Sequence, residues 1–206
     1  MHNGKLYIIS APSGAGKTSL VKRLVADLDA LRVSVSHTTR SSRPGETNGR
    51  DYYFISVDEF YAMQAEQAFL EHAQVFDNFY GTAKKTVMDN LACGFDVILE
   101  IDWQGAQQVK RIWPDVVSVF ILPPSTQVLQ ERLRGRGQDD EQTIARRMRD
   151  AVAEMQHYYE FDFLVVNDVF EEALSQLKSI VIANRLCQQR QQYNLQALLA
   201  GLLTGC

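Results

Sequence analysis

The chain has 206 residues, 46% of them hydrophobic and 22% charged, with a formal net charge of −4. That length holds one full hydrophobic core with room for a small inserted lobe but not two ordinary domains, and the near-average composition favours neither a disordered nor a membrane-embedded class. The acidic balance argues weakly against a nucleic-acid binder, and the placement of the basic residues matters more than their sum.

Cys93, Cys187 and Cys206 are widely spaced with no C-x-x-C pair, so reduced thiols are expected rather than a zinc or redox site. The apolar run Leu6 to Ile9 is too short for a signal-peptide core or a membrane span, and a cytoplasmic protein is expected.

The first predicted element is the strand Leu6 to Ser10, followed by the Pro/Gly/Ser turn "APSGAG" and by "KTSLVKRLVADL", apolar at Leu20, Val21, Leu24, Val25 and Leu28. This is a strand, a loop and an amphipathic helix. "LRVSVSHTTR" predicts a short strand with Leu31, Val33 and Val35 on one face, and "SSRPGETNGRDYYFI" predicts a turn-rich loop running into an aromatic strand at Tyr52 to Ile55. "VDEFYAMQAEQAFL" predicts a helix with Asp58 as its N-cap.

"FDVILEID", Phe95 to Asp102, predicts a buried strand ending in two carboxylates, and "GAQQVKRIW" a helix closed by Pro114. "VVSVFILPP" from Val116 and "DFLVVND" from Asp162 to Asp168 are further strands, and Glu171 to about Leu203 reads as helical. Strands apolar on both faces that alternate with helices imply a parallel sheet covered on both sides. Between about Ser34 and Lys85 aromatic, hydroxyl and charged residues gather, as in a lobe inserted into the α/β core.

The turn after the first strand fits a phosphate-binding loop. Gly14 and Gly16 let backbone N–H groups curl round a polyphosphate at a helix N-terminus, Lys17 adds a point charge, and the Thr18 hydroxyl can ligate magnesium. The common loop has glycine where Ala11 stands; alanine is tolerable there if φ is negative. Such a loop identifies a nucleoside triphosphate and leaves an NTPase, a kinase and a switch protein open. For a second substrate, Arg40, Arg43 and Tyr52 could clamp a phosphate monoester, and Glu71, Tyr80 and Thr82 sit in an apolar, aromatic run where a buried carboxylate needs partners. Glu100 and Asp102, two apart, are expected to point the same way from a strand's C-terminal end, where open α/β sheets bind ligands. The histidines His37, His72 and His157 and the tryptophans Trp103 and Trp113 read as packing or surface residues.

Taken in order, "SAPSGAGKTSL", "SVSHTTRSSRPGETNGRDYYF", "FLEHAQVFDNFYGT", "ILEIDWQGAQQV", "FILPPS", "RLRGRGQD" and "VVND" resemble the guanylate kinases of the bacterial type, from about Lys5 to Arg185. The resemblance implies a P-loop NTPase three-layer α/β fold with a parallel core sheet (1–33, 86–125 and 151–190), an inserted GMP-binding lobe (34–85), a short lid (126–150) and a helical tail (191–206). It implies ATP-dependent phosphorylation of GMP, and of dGMP, with Mg²⁺. ATP would be held by Ala11, Pro12, Ser13, Gly14, Ala15, Gly16, Lys17 and Thr18, with Asn167 on the adenine side. Arg40, Arg43, Tyr52 and Tyr80 would bind the GMP phosphate, and Ser36, Glu71, Thr82 and Asp102 would read the guanine. Guanine offers N1–H and N2–H₂ donors to a carboxylate, whereas adenine would leave Glu71 facing an acceptor. Thr18 and Glu100 would stand near the metal, Glu100 through water, and Lys17, Arg40, Arg132, Arg136 and Arg147 would neutralise the transferring phosphoryl group.

Relatives often carry a second Asp where Val169 stands and Asp where Glu100 stands. Two rival readings share part of this pattern: a ribose-bisphosphate kinase with the same loop, which does not need Glu71 and Thr82, and a guanylate-kinase-like interaction module, which typically lacks the intact Gly-Lys-Thr loop and lid arginines seen here. The expected partners are small-molecule substrates, with neither nucleic acid nor membrane, and the leucines of "NLQALLAGLLTGC" allow a homo-oligomer.

Overall fold

Strand Leu6–Ser10 (β1) is buried at every position, as its unbroken apolar run requires, and the rest of the chain is wound about it in the computed structural model, which describes residues 4–75, 77–135 and 140–204. After β1 come α1 (Lys17–Asp27) and β2 (Leu31–Val33); the chain then makes β3 (His37–Thr38), β4 (Tyr53–Phe54), α2 (Val57–Ala65), β5 (Phe69–Val75) and β6 (Asn78–Ala83). It continues through α3 (Lys84–Ala92), β7 (Asp96–Glu100), α4 (Trp103–Ile112), β8 (Val117–Leu122), α5 (Thr126–Arg134), α6 (Glu141–Met155) and β9 (Phe163–Val166), and ends in α7 (Phe170–Leu186), α8 (Gln188–Asn194) and α9 (Gln196–Thr204).

One sheet has the order β2-β7-β1-β8-β9, with every pairing parallel. Because side chains alternate along a strand, Tyr7 and Ile9 enter one core with Leu20, Val21 and Leu24 of α1 and Leu174 and Leu177 of α7. Leu6 and Ile8 enter a second core with Val87 and Leu91 of α3 and Val109 of α4. Burying each such side chain stabilises the fold by about 1.5–3 kcal/mol relative to exposure. The result is a sheet between two helical layers.

A second sheet, β4-β3-β6-β5, lies between residues 37 and 83. Its backbone is the antiparallel β5–β6 hairpin, in which Glu71 faces Thr82 and Ala73 faces Tyr80. Phe60 of α2 stacks on Phe69 and Phe79 with ring centroids 4.6 and 5.3 Å apart, which gives this sheet its own small aromatic core.

Several element ends differ from the sequence reading. The alternation through Val35 does not form one strand: Leu31–Val33 pairs with β7, while His37–Thr38 belongs to the second sheet. Between them the Ser34 N–H still donates to the Ile98 carbonyl at 2.9 Å and the Ser36 carbonyl accepts from Tyr53 N–H at 2.9 Å, so the backbone changes partners within three residues. The N-cap of α2 is Ser56, not Asp58, because Ser56 and Glu59 form a reciprocal capping box. Tyr52 makes an isolated bridge to Asn48 just ahead of β4.

Strand β7 ends at Glu100, and Asp102 is the N-cap of α4, accepting the Gly105 N–H at 2.9 Å. Glu100 and Asp102 therefore do not owe their common direction to a strand. The predicted C-terminal helix is three helices, broken at Cys187 and at Leu195. No helix of the described residues is long and apolar enough to cross a membrane.

Candidate active site

The C-terminal ends of β1 and β7 open, with the β5–β6 hairpin, onto a cavity of about 330 Å³. One wall is the loop after β1, from Ala11 to Ser19, with Ala15 beneath the surface. The Ala15 N–H donates to the Pro12 carbonyl at 3.1 Å, which tightens the loop. Gly14 and Gly16 both have φ +93°, a left-handed conformation that strains any residue with a Cβ; a Cβ on Gly14 would also stand 2.9 Å from Leu129 Cδ1. Ala11 is not among the positive-φ residues, which outside glycine are Ala30 and Gln67 among the described residues, so its methyl group is accommodated as the sequence reading required. Lys17 and Thr18 begin α1, where the helix dipole and free N–H groups favour an anion.

The opposite wall is built by the second sheet and α4. Glu71 on β5 is 4% exposed; its Oε1 accepts from Thr82 Oγ1 at 2.5 Å, and Thr82 Oγ1 lies 3.4 Å from Ser36 Oγ. Glu71, Ser36 and Asp102 line the cavity, while Thr82 is fully buried behind Glu71. A Cβ on Gly105 would lie 2.6 Å from Glu71 Oε2, so the carboxylate is seated on the first turn of α4 at a place that only glycine leaves open. Burial pushes the Glu71 carboxyl up to about 7; the Thr82 hydroxyl draws it down and Asp102 pushes it up.

Arg43, Tyr52 and Tyr80 also line the cavity, and the two tyrosine rings meet edge-on with centroids 6.0 Å apart. Burial pushes the Tyr52 phenol up to about 12, so it stays a hydrogen-bond donor at neutral pH. Arg40 lies beside this group: its Nη2 donates to Glu46 Oε1 at 2.8 Å, and its guanidinium stands 5.4 Å from the Tyr52 ring centroid. Glu46 also takes the Arg43 N–H at 2.7 Å.

Between the walls, Thr18 Oγ1 donates to Glu100 Oε2 at 3.2 Å. A hydroxyl and a carboxylate beside a phosphate cradle are hard oxygen donors, the kind that suits a magnesium ion still carrying water and phosphate ligands.

The arginines after β8 are dispersed. Arg132 on α5 donates from Nη2 to the Asn167 carbonyl at 3.0 Å, and Arg147 is half-buried on α6; neither lines the cavity. Arg136 lies outside the described residues. Asn167 does not line the cavity either: it is 5% exposed beneath the loop.

Two acidic residues at the site escaped the sequence reading. Glu46, in a turn, is tied to both arginines of the candidate clamp. Glu154 reaches the cavity from α6, three residues after buried Ala151 and ten after buried Ile144; a carboxylate on the buried stripe of an amphipathic helix was the available signal. Burial pushes Glu154 up to about 7 against the pull of Lys17 and of the Ser13 N–H, with Asp102 adding to the rise.

A five-stranded parallel sheet between helices, with a glycine-rich loop joining its central strand to a helix, defines an α/β nucleotide-binding protein of the P-loop class. The family profile described as guanylate kinase matches residues 3–184. The chain belongs to the guanylate kinase family. It is 61% identical to the guanylate kinase of Methylococcus capsulatus over 98% of this chain and 100% of that one, and 58% identical to that of Saccharophagus degradans over 98% of each. The crystal structure of guanylate kinase from Anaplasma phagocytophilum is similar, with a TM-score of 0.77 and 33% identity over 92% of this chain and 90% of that one.

Proposed function

We propose that the protein transfers the γ-phosphoryl group of ATP to GMP, giving ADP and GDP, and accepts dGMP in the same site. The observation that carries the acceptor's identity is the buried Glu71–Thr82 pair opposite the phosphate loop. Once ionised, Glu71 accepts from guanine N1–H and N2–H₂, Ser36 supplies a hydroxyl for the remaining ring atoms, and Thr82 acts from behind by holding the Glu71 carboxylate. Adenine would leave the carboxylate against an acceptor, a mismatch costing about 1–3 kcal/mol or more.

Arg43, Tyr52 and Tyr80 line the same cavity as Glu71 and take the nucleotide's phosphate end, and Arg40 joins them when the phosphate takes Glu46's place. The backbone N–H groups of Gly14, Gly16, Lys17 and Thr18 and the Lys17 ammonium hold the donor's phosphates, and Asp102 borders the acceptor base. Thr18 and, through water, Glu100 would hold a magnesium ion, which would supply charge neutralisation at the donor phosphates. The lobe at 34–85 carries the acceptor, and the segment 126–150 closes over the donor and brings Arg132, Arg136 and Arg147 to the transferring group. With no strong base in the cavity, alignment, charge and exclusion of water carry the reaction. We place this chemistry in the cytoplasm.

A coupled assay offering ATP with GMP, dGMP, AMP, dTMP or UMP tests the reading. ADP release should depend on GMP or dGMP and be lower by several orders of magnitude with the others. Equal turnover with AMP, or none with GMP, would sink it.

A further inference from the structure

The family resemblance puts Asn167 beside the donor's adenine, yet its side chain is occupied elsewhere. Asn167 Nδ2 donates to the Ala15 carbonyl at 2.7 Å in a buried bond that joins positions 152 residues apart. The partner is a carbonyl, so the amide must present its N–H there. Asn167 is itself fixed on both sides: its backbone N–H donates to the Leu122 carbonyl at 2.8 Å, and its carbonyl accepts from Arg132 Nη2 at 3.0 Å.

We propose that Asn167 is a positioning residue that sets the phosphate-binding conformation of the Ala15–Gly16 peptide. That peptide is trans and planar, so its carbonyl and its N–H point in opposite directions. Asn167 grips the carbonyl from the buried side, and the Gly16 N–H is thereby turned to the other side, where Gly16 lines the cavity. The fit is close: a Cβ on Gly16 would come within 2.3 Å of Asn167 Nδ2. Gly16 is thus required twice, by its φ of +93° and by the amide packed against it. Without the amide the Ala15 carbonyl is a buried acceptor with no donor, and rotating the peptide to relieve it would aim oxygen instead of N–H at the phosphates.

The inference rests on the loop's being the donor-phosphate site, and binding of inorganic tripolyphosphate with Mg²⁺ separates the two ideas. If the wild-type chain fails to bind tripolyphosphate, the donor-site reading falls and takes the inference with it. The deciding variant is Asn167→Asp, which keeps the shape but sets an oxygen against the Ala15 carbonyl. The inference expects tripolyphosphate and ATP dissociation constants to rise by the same factor, about tenfold or more, with the GMP constant unchanged. An adenine contact predicts otherwise: tripolyphosphate binding stays at the wild-type value, and ATP binding is retained, because a carboxylate still accepts from the adenine amino group. That result, or no change in either constant, overturns the proposal. Should N167D also lose GMP binding, Asn167→Ser decides by the same comparison. There water can replace the amide, so the two constants should rise together by a smaller factor; a rise confined to ATP would again overturn it.

Discussion

In the proposed reading Glu71 carries the acceptor's identity, and its protonation is the most direct handle on it. Its carboxyl is pushed up to about 7, first by burial, so near neutral pH it is only partly ionised, whereas guanine's donors require the carboxylate. Binding GMP pairs that charge and lowers the group's pKa in the complex. The affinity gained is therefore fully present above the free-state value and is lost as pH falls through it. Between pH 7 and pH 6 the ionised fraction drops from about a half to about a tenth, so KM for GMP should rise about fivefold from this group. The nucleotide's own phosphate titrates near pH 6, and Glu154 and Asp102 share the cavity, so the readout is the difference between wild type and Glu71→Gln. The variant should bind GMP far more weakly than the wild type, bind ATP nearly as well, and lose this part of the pH dependence. An unchanged pH profile in E71Q would remove Glu71 from the base site. Residues with chemistry written in their type and order, such as Lys17, Thr18, Glu71 and Thr82, were legible in the sequence. Gly105 was not, because its contribution is the space it leaves beside Glu71 Oε2, and a missing side chain has no pattern.

At the scale of elements, periodicity located most strands and helices, since the apolar runs of β1, β7 and β8 are buried between the helical layers, although that of α9 is not. Their ends depended on single polar contacts that periodicity does not encode. The break of the C-terminal helix at Cys187 is one case. Just past it Arg190 turns back, its Nη2 meeting Asp96 Oδ1 at 2.7 Å while Arg185 Nε meets Asp96 Oδ2 at 2.8 Å. Asp96 is fully buried at the start of β7 and also accepts the Lys5 N–H at 2.8 Å. This network docks α7 and α8 against the sheet edge, and beyond it α9 has no buried residue. Arg190→Ala should therefore destabilise the fold by about 1–3 kcal/mol, since the Arg185 guanidinium still pairs with the buried carboxylate and the Lys5 backbone N–H still donates to it. Removing residues 195–206 should shift the melting temperature by no more than about 1 °C, because it exposes nothing from the core. Thermal melts of the two variants, with sedimentation of the truncated chain, check this. A large loss on truncation would mean that the leucines of α9, Leu203 at 80% exposure among them, are covered in solution.

For the molecule as a whole, the parallel sheet and the order of motifs were readable from alternating strands and helices, while the relation between the two sheets was not, because few residues near the cavity belong to a periodic pattern. That relation sets the last prediction. The phosphate loop and the Glu71 wall belong to different sheets, and the cavity between them, about 330 Å³, is at the small end for ligand sites and cannot enclose two nucleotides. Two arginines proposed to touch phosphate are held elsewhere: Arg40 on Glu46 and Arg132 on the Asn167 carbonyl. The Arg40 and Glu46 side chains are only 14% and 20% exposed, so the pair is held more firmly than a solvent-exposed one, and a phosphate dianion has to take the glutamate's place as the partner of Arg40. The ion pair between α1 and the loop before β4, Lys22 with Asp51 at 3.3 Å, is mostly solvated on the lysine side and offers little resistance, about 0–1 kcal/mol. Binding energy from both substrates can therefore draw the second sheet and the segment after β8 toward the loop, expelling the water that would otherwise hydrolyse ATP. Small-angle scattering should show the radius of gyration, about 17 Å for a compact chain of this length, falling when GMP and a non-hydrolysable ATP analogue are added together, with a smaller decrease for GMP alone. The truncated chain lacking 195–206 should show the same contraction, which assigns it to closure rather than to the tail. An unchanged radius with both ligands bound would mean that the arginines reach the phosphates by side-chain rotation alone.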